Sequence, residues 1–409
     1  MSSCFRSLGV LKIACSLAII HFGYVATFAS EVEPSLADEI ERFRVEDDQP
    51  VYLPVQVLGE KHQFVLDTGS TLDLLDVAFV DRLTPSRKTM SVGTMSGSSS
   101  IRLFPAPEMK IGEANPRVVL AEKNRFVGIT DFAELRAATE SNCRGIIGMD
   151  FMKSQVVRLN LAENFVAFLS EPTSQPAHVE KIRPGDLKCP TISLQISGSY
   201  LCPLMIDTGS QDALRIDTKL YDRLLHEKRI LGRGTIDFMT FDRTITSRIG
   251  VLDRVSLGPY QVRNVHVAEG KIPVMGLQFL RRFEVDLDFP NGQAYFRPSP
   301  QFDSPDRWNL AGFVVDRVDK QVVVYSTEDG GVAEQNGLAK GDVILKINGM
   351  PTSEMRLERI GELKREPDTQ LKLLVQRDGA TREVTLELKA QPDPVPAEDE
   401  SPDFKRIPD

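Results

Sequence analysis

The chain has 409 residues, is 41% hydrophobic and 26% charged, and carries a formal net charge of −9. That length exceeds what one hydrophobic core serves, so two or three domains are expected. The balance is that of a globular chain, and the acidic surplus argues against a nucleic-acid or anionic-membrane partner.

In chain order, Arg6 and Lys12 precede an apolar run at 13–20, and small residues follow through Ser30. This layout predicts a secretory signal peptide over 1–30, with Thr27 and Ala29 as the small residues before the cleavage point. The expected location is therefore periplasmic or secreted. An uncleaved membrane anchor is the less favoured alternative, because the run is short for a bilayer span. Residues 31–48 are polar and acidic and read as a lead-in. Beyond the signal segment three cysteines remain, Cys143, Cys189 and Cys202. Their odd number leaves at least one without a partner in the chain. Cys189 and Cys202 flank a predicted hairpin whose turn at Gly198-Ser199 does not set them opposite one another, so a bridge between them is not implied.

From Val51 the pattern turns to strand. Val51, Leu53, Val55 and Val57 alternate, Gly59-Glu60 marks a turn, and Phe64-Val65-Leu66 leads straight into Asp67. Short strands with turn signals continue to about residue 170, which predicts a mainly β unit over 49–170. Residues 171–186, with three prolines, read as a linker. Then the pattern restarts over 187–300: an alternating strand at 191–196, a turn, and Leu204-Met205-Ile206 leading into Asp207. Downstream, 145–152 and 273–280 match, as do the strands that follow each. A repeat at this scale predicts two similar lobes. The interval from Asp to the matching segment is longer in the first half, with the excess around 128–144.

Residues 301–309 read as a second linker and 310–390 as a third, small α+β unit. Its expected parts are strands at 312–315 and 322–324, a short helix at 332–338, and a strand ending at Asn348-Gly349. A helix carrying Leu357, Ile360 and Leu363 follows, capped by Thr352 or Ser353. The unit closes with a hairpin turning at Asp378-Gly379. The acidic, Pro-rich stretch 391–409 is expected to be disordered.

The chemistry lies in the tetrapeptide Asp-Thr-Gly-Ser, present at Asp67-Thr68-Gly69-Ser70 and again at Asp207-Thr208-Gly209-Ser210. A specified tetrapeptide is expected about 0.003 times by chance in such a chain. One copy alone reads equally well as a strand-end turn. Two copies, each after an apolar strand and each followed by the same pattern, do not. Two carboxylates held close cannot both ionise, so one stays protonated. Such a pair can activate a water and protonate a carbonyl. Glycine lets the backbone turn and lets another chain come near. The threonine hydroxyl can bond across to the opposite loop, and the serine hydroxyl can donate to its own Asp. With serines flanking the pair, an acidic optimum is expected.

These residues resemble the pepsin/retropepsin superfamily of aspartic peptidases, and within it bacterial-type chains with two fused retropepsin-like lobes. The resemblance covers about 50–300 and implies a mainly β, bilobal acid-protease fold with Asp67 and Asp207 as the catalytic dyad. It implies that Thr68 and Thr208 lock the loops together and that Ile146-Ile147-Gly148 and Val274-Met275-Gly276 thread beside them. The family closes substrate under β-hairpin flaps. The candidates here are Gly93, Thr94 and Met95 in the first lobe, where the flap tyrosine of pepsin-like enzymes is missing, and Phe238 and Met239 in the second. Residues 330–349 are similar to the core of PDZ domains on bacterial envelope proteases. That similarity implies a carboxylate-binding loop and edge strand at Gly312, Phe313 and Val314, where a peptide C-terminus would add as a strand. Together these readings imply an aspartic endopeptidase that acts on protein or peptide substrates as a monomeric unit rather than a dimer of halves, with no cofactor and no metal. The PDZ unit would recruit substrates or regulate access. The competing expectation is a non-catalytic peptide-binding scaffold. Cleavage at a Ser-centred Gly-x-Ser-x-Gly motif is excluded, because none occurs.

Overall fold

The alternation at the start of the first lobe is realised as the strand Tyr52–Val57, with Leu53, Val55 and Val57 turned inward. It pairs antiparallel with Glu60–Leu66, whose last three residues are buried and deliver Asp67. These strands belong to a computed structural model that describes residues 39–46, 49–94, 97–112, 118–119, 125–185, 187–239, 244–390 and 405–406. The expected signal peptide, Met95 and nearly all of the expected tail lie outside the described residues.

The fold is mainly β, and the internal repeat is a repeat of topology. In the first lobe, six neighbouring strands run in the order Glu60–Leu66, Cys143–Ile147, Leu74–Asp76, Phe126–Thr130, Gly97–Pro105 and Lys88–Thr94. The second lobe repeats that order with Tyr200–Ile206, Val274–Met275, Leu214–Ile216, Tyr260–Glu269, Thr244–Leu257 and Ile230–Met239. The directions agree too. Cys143–Ile147 is parallel to Glu60–Leu66, as Val274–Met275 is to Tyr200–Ile206. The excess length in the first half holds the helix Ala133–Thr139. The second lobe passes from Tyr260–Glu269 to Val274–Met275 without one.

A third sheet joins the lobes. Its order is Glu39–Arg44, Phe165–Leu169, Val156–Asn160, Phe283–Asp288, Gln293–Pro298 and His178–Lys181. At its centre Arg158 lies opposite Asp286 across the lobe boundary. Its guanidinium grips the carboxylate twice, at 2.7 and 3.0 Å, and Arg297 adds a contact at 3.2 Å. Burial pushes the Asp286 carboxyl up, but the Arg158 hydrogen bonds and the Arg297 charge outweigh it and hold the group below its ordinary value. A depressed folded-state pKa contributes stability above the unfolded value and loses it as pH falls through the folded value. Asp286→Ala is expected to cost about 3 kcal/mol, because it leaves two buried guanidiniums with Glu284 as their shared carboxylate. Urea unfolding at neutral pH and again near pH 3 should show that cost shrink in acid.

Four expectations about connecting segments need correction. The lead-in is not all lead-in: Glu39–Arg44 is an edge strand on Phe165–Leu169. Phe43, set edge-on to Phe168 at 5.7 Å, and Val45 just past the strand are buried, while the charged residues around them hid the pattern. Within 171–186, His178–Lys181 pairs with Gln293–Pro298 and Arg183–Pro184 with Pro190–Ile196. Short charged edge strands carry little apolar pattern. In 301–309, Asp306 binds Arg282 at 2.7 Å and receives the His266 N–H at 2.8 Å, while Trp308 stacks edge-on to His266 at 4.1 Å. In the expected disordered tail, Lys405–Arg406 lies parallel to Tyr200–Ile206.

The third unit has its own core and a sheet in the order Phe313–Val318, Gln321–Thr327, Val343–Ile347, Thr369–Arg377 and Ala380–Leu388. Asp378 and Gly379 both have positive φ, as a type I′ hairpin requires. The helix Leu357–Leu363 buries Leu357, Ile360 and Leu363 as expected, but neither Thr352 nor Ser353 caps it. The Thr352 hydroxyl donates to Ile344 O at 2.5 Å, and the N–H of Leu357 goes instead to Glu140 of the first lobe at 2.8 Å.

Candidate active site

Each Asp-Thr-Gly-Ser loop is held by its own lobe in the same way. The N–H of Asp67 donates to Ile147 O at 2.9 Å, and that of Asp207 to Met275 O at 3.0 Å. Ser70 O accepts from Met149 N at 2.8 Å, and Ser210 O from Leu277 N at 2.9 Å. The apolar segments expected to thread beside the loops therefore do so through backbone bonds.

The two loops then interlock. The Thr68 hydroxyl donates to Ile206 O at 2.7 Å and accepts the Thr208 N–H at 3.1 Å. The Thr208 hydroxyl donates to Leu66 O at 2.7 Å and accepts the Thr68 N–H at 3.0 Å. Both threonines are fully buried. Each Asp keeps its carboxylate in place by accepting the N–H of its own loop glycine, Gly69 at 2.8 Å and Gly209 at 2.9 Å. The glycines are required for closeness as well. A Cβ on Gly69 would lie 2.7 Å from Cγ of Asp207, and one on Gly209 would lie 2.7 Å from Cγ of Asp67.

Asp67 and Asp207 thus face each other, each carboxyl lying against the other loop's glycine. Burial raises both above the ordinary carboxylate value, and Asp207, which also feels the charge of Asp67, is raised furthest. The pair holds a proton as a unit, so neither carboxyl has a pKa of its own.

The serines do not act as expected. The Ser70 hydroxyl donates to Leu72 O at 2.8 Å, and the Ser210 hydroxyl receives the Asp212 N–H at 3.3 Å. Their neighbours one turn on, Leu72 and Asp212, offer better-placed backbone partners than the carboxylates do. The expected flap residues fall on equivalent outer hairpins. Gly93 and Thr94 end Lys88–Thr94, where Thr94 pairs with Gly97, and Phe238 and Met239 end Ile230–Met239, where Met239 pairs with Thr244. Gly312, Phe313 and Val314 sit in the third unit, far along the chain from the dyad: Phe313 is buried in that unit's own core, and Val314 packs on Ile236, Ile249 and Ala268 of the second lobe.

Two residues beside the dyad were missed. Asp73 is buried, pairs with Arg125, and accepts the Gly148 N–H at 2.8 Å. Burial, partly offset by Arg125, pushes its carboxyl up to about 6. The matching N–H of Gly276 uses the backbone oxygen of Ala213 at 3.1 Å. Aligning the repeats places Asp73 against Ala213, and that mismatch was the available signal. Cys189 donates its thiol to Gly69 O at 3.2 Å, reaching from the second lobe to the first loop. Burial, reinforced by the charges of Asp67 and Asp207, pushes the thiol up to about 12, so it stays protonated. Cys143, Cys189 and Cys202 are all free and buried.

A family model described as aspartyl protease matches residues 53–151, and one described as PDZ domain matches residues 303–376. The chain carries an aspartyl protease domain and a C-terminal PDZ domain. The protease match falls in the first lobe, and the second lobe repeats that lobe's strand order. A serine protease HtrA-like protein of Staphylococcus aureus (strain MRSA252) is 26% identical over 149 residues. The match takes in 36% of this chain and 19% of that protein, so the chain spans about one fifth of that relative's length.

Proposed function

We propose that the protein is an aspartic endopeptidase in which Asp67 and Asp207 activate a water for attack on a peptide bond. The observation that carries this reading is the facing carboxylate pair at the lobe junction, Asp207 buried and Asp67 half-buried, fixed by the reciprocal threonine bonds. The ionised carboxylate takes a proton from a water lying between the two. The protonated carboxyl donates to the scissile carbonyl oxygen as the water attacks. The tetrahedral diol then collapses, and the proton passes to the leaving amine. All proton transfers are completed within the pair. Substrate would lie between the lobes beneath the two outer hairpins, and the signal-peptide pattern would put the activity outside the cytoplasm.

The name of the S. aureus relative raises a serine mechanism. Against it stand the missing Gly-x-Ser-x-Gly motif and the engagement of Ser70 with a backbone carbonyl. The deciding experiment is a peptide-library digest at acidic and neutral pH, with either a statine-type transition-state analogue or a serine-reactive fluorophosphonate. Cleavage blocked by the first and untouched by the second is expected. The opposite pattern would overturn the reading.

A further inference from the structure

The helix Ala133–Thr139, which the second lobe lacks, lies against two parts of the PDZ domain: the strand Phe313–Val318 and the helix Leu357–Leu363. Phe313–Val318 is the edge of the PDZ sheet, and Leu357–Leu363 packs beside its open side. A peptide joining the sheet as an extra strand has to lie between these two.

That space is bridged from within the chain. Glu140 ends the inserted helix with a left-handed φ of 48°. Its carboxylate accepts from Arg317 Nε of the edge strand at 2.5 Å and from the N–H of Leu357, the first residue of the PDZ helix, at 2.8 Å. Arg317 itself spans the gap, donating to Met355 O at 2.5 Å. The other end is bridged as well. The carbonyl of Phe313, the first acceptor on the edge strand, takes Asn309 Nδ2 at 2.8 Å and Lys364 Nζ at 3.0 Å. The Leu310 N–H in the adjoining loop is spent on Lys364 O at 2.8 Å. The buried Glu328 side chain stands beside Gly312, where its carboxylate is engaged by Arg233.

The PDZ domain also holds the second lobe. Asp329 N donates to Thr235 O at 3.0 Å, and Glu328 pairs with Arg233 at 3.3 Å. Both partners lie on the outer hairpin that carries Phe238 and Met239. A Cβ on Gly234 would sit 2.3 Å from Asp329 O, so glycine permits the approach.

We propose that the PDZ groove is occupied in cis by the first lobe's inserted helix and Glu140, making the domain a clamp across both lobes that a peptide enters only by displacing Glu140. The inference goes beyond the peptidase reading and does not depend on it. In the test, the full chain is titrated by fluorescence anisotropy with a labelled pool of short peptides bearing free, apolar C-termini. Hydrogen exchange is followed in parallel over 313–318 and 357–363. Wild type is expected to bind weakly. Glu140→Ala is expected to bind at least fivefold more tightly and to exchange at least fivefold faster over 357–363. Glu140→Gln keeps the side chain's size but removes the charge that holds Arg317, so it should move both readouts the same way even if Glu140→Ala folds poorly. Wild-type binding as tight as that of the variants, or equal exchange in all three proteins, would overturn the proposal. Neither readout involves turnover, so an inactive enzyme would count against the peptidase reading alone.

Discussion

Asp67→Asn and Asp207→Asn are each expected to lower peptide hydrolysis by roughly a thousandfold, within the range for loss of a general acid or base, while leaving the protein folded. Asparagine has nearly the shape of aspartate and retains an oxygen for the Gly69 or Gly209 N–H, so the loop geometry survives. What is lost is the shared proton. The stability of the variants carries a second signature. Both carboxyls are raised by burial, Asp207 further by the charge of Asp67. A raised folded-state pKa contributes stability that is fully present below the unfolded value and is lost as pH rises through the folded value. Each variant should therefore lose less stability than wild type on going from acid to neutral pH, as urea unfolding at several pH values would show. Wild-type turnover by either variant would remove that residue from the dyad.

The same shifts revise the expected pH profile. An acidic optimum was expected from the flanking serines, yet Ser70 is turned to Leu72 and does not brace Asp67. With both groups raised, the singly protonated pair survives to higher pH than an exposed pair would. The alkaline limb of the bell-shaped kcat/KM profile should therefore lie at higher pH than for an exposed carboxylate pair.

The parts legible in the sequence are those written in short-range pattern. Apolar strands ending at Asp67 and Asp207 predicted where the loops would be delivered, and the matched segments 145–152 and 273–280 predicted a common topology. The threonine bonds were expected because a hydroxyl beside each Asp can reach the opposite loop and because the family resemblance implies that Thr68 and Thr208 lock the loops together. What escaped is of two kinds. Glu39–Arg44 and His178–Lys181 are edge strands with few buried residues, so periodicity had little to register. The Glu140 contacts join residues 177 and 217 positions apart, and no local pattern at Ala133–Thr139 announces them. Thr352 and Ser353 looked like caps because capping is normally local. Here the acceptor comes from another lobe.

Thr68→Val is expected to destabilise the protein by about 2–6 kcal/mol and to cut activity by about a hundredfold. Valine fills the same volume but replaces the hydroxyl with a methyl group. The Thr208 N–H then loses its acceptor and Ile206 O loses its donor, both in a dry site. Each unsatisfied buried group costs about 1–3 kcal/mol, which sets the range. The activity loss has a separate origin. Ile206 and Thr208 flank Asp207, so relaxation of either moves that carboxylate relative to Asp67, and a shift of about 1 Å is worth about a hundredfold. Thr68→Ser restores the hydroxyl and should recover most of both losses, which a simple packing defect would not predict. Urea unfolding and kcat/KM on one fluorogenic peptide measure the two effects. If Thr68→Val kept full activity, the Arg158–Asp286 sheet alone would suffice to register the lobes, and the threonine lock would serve stability without placing the dyad.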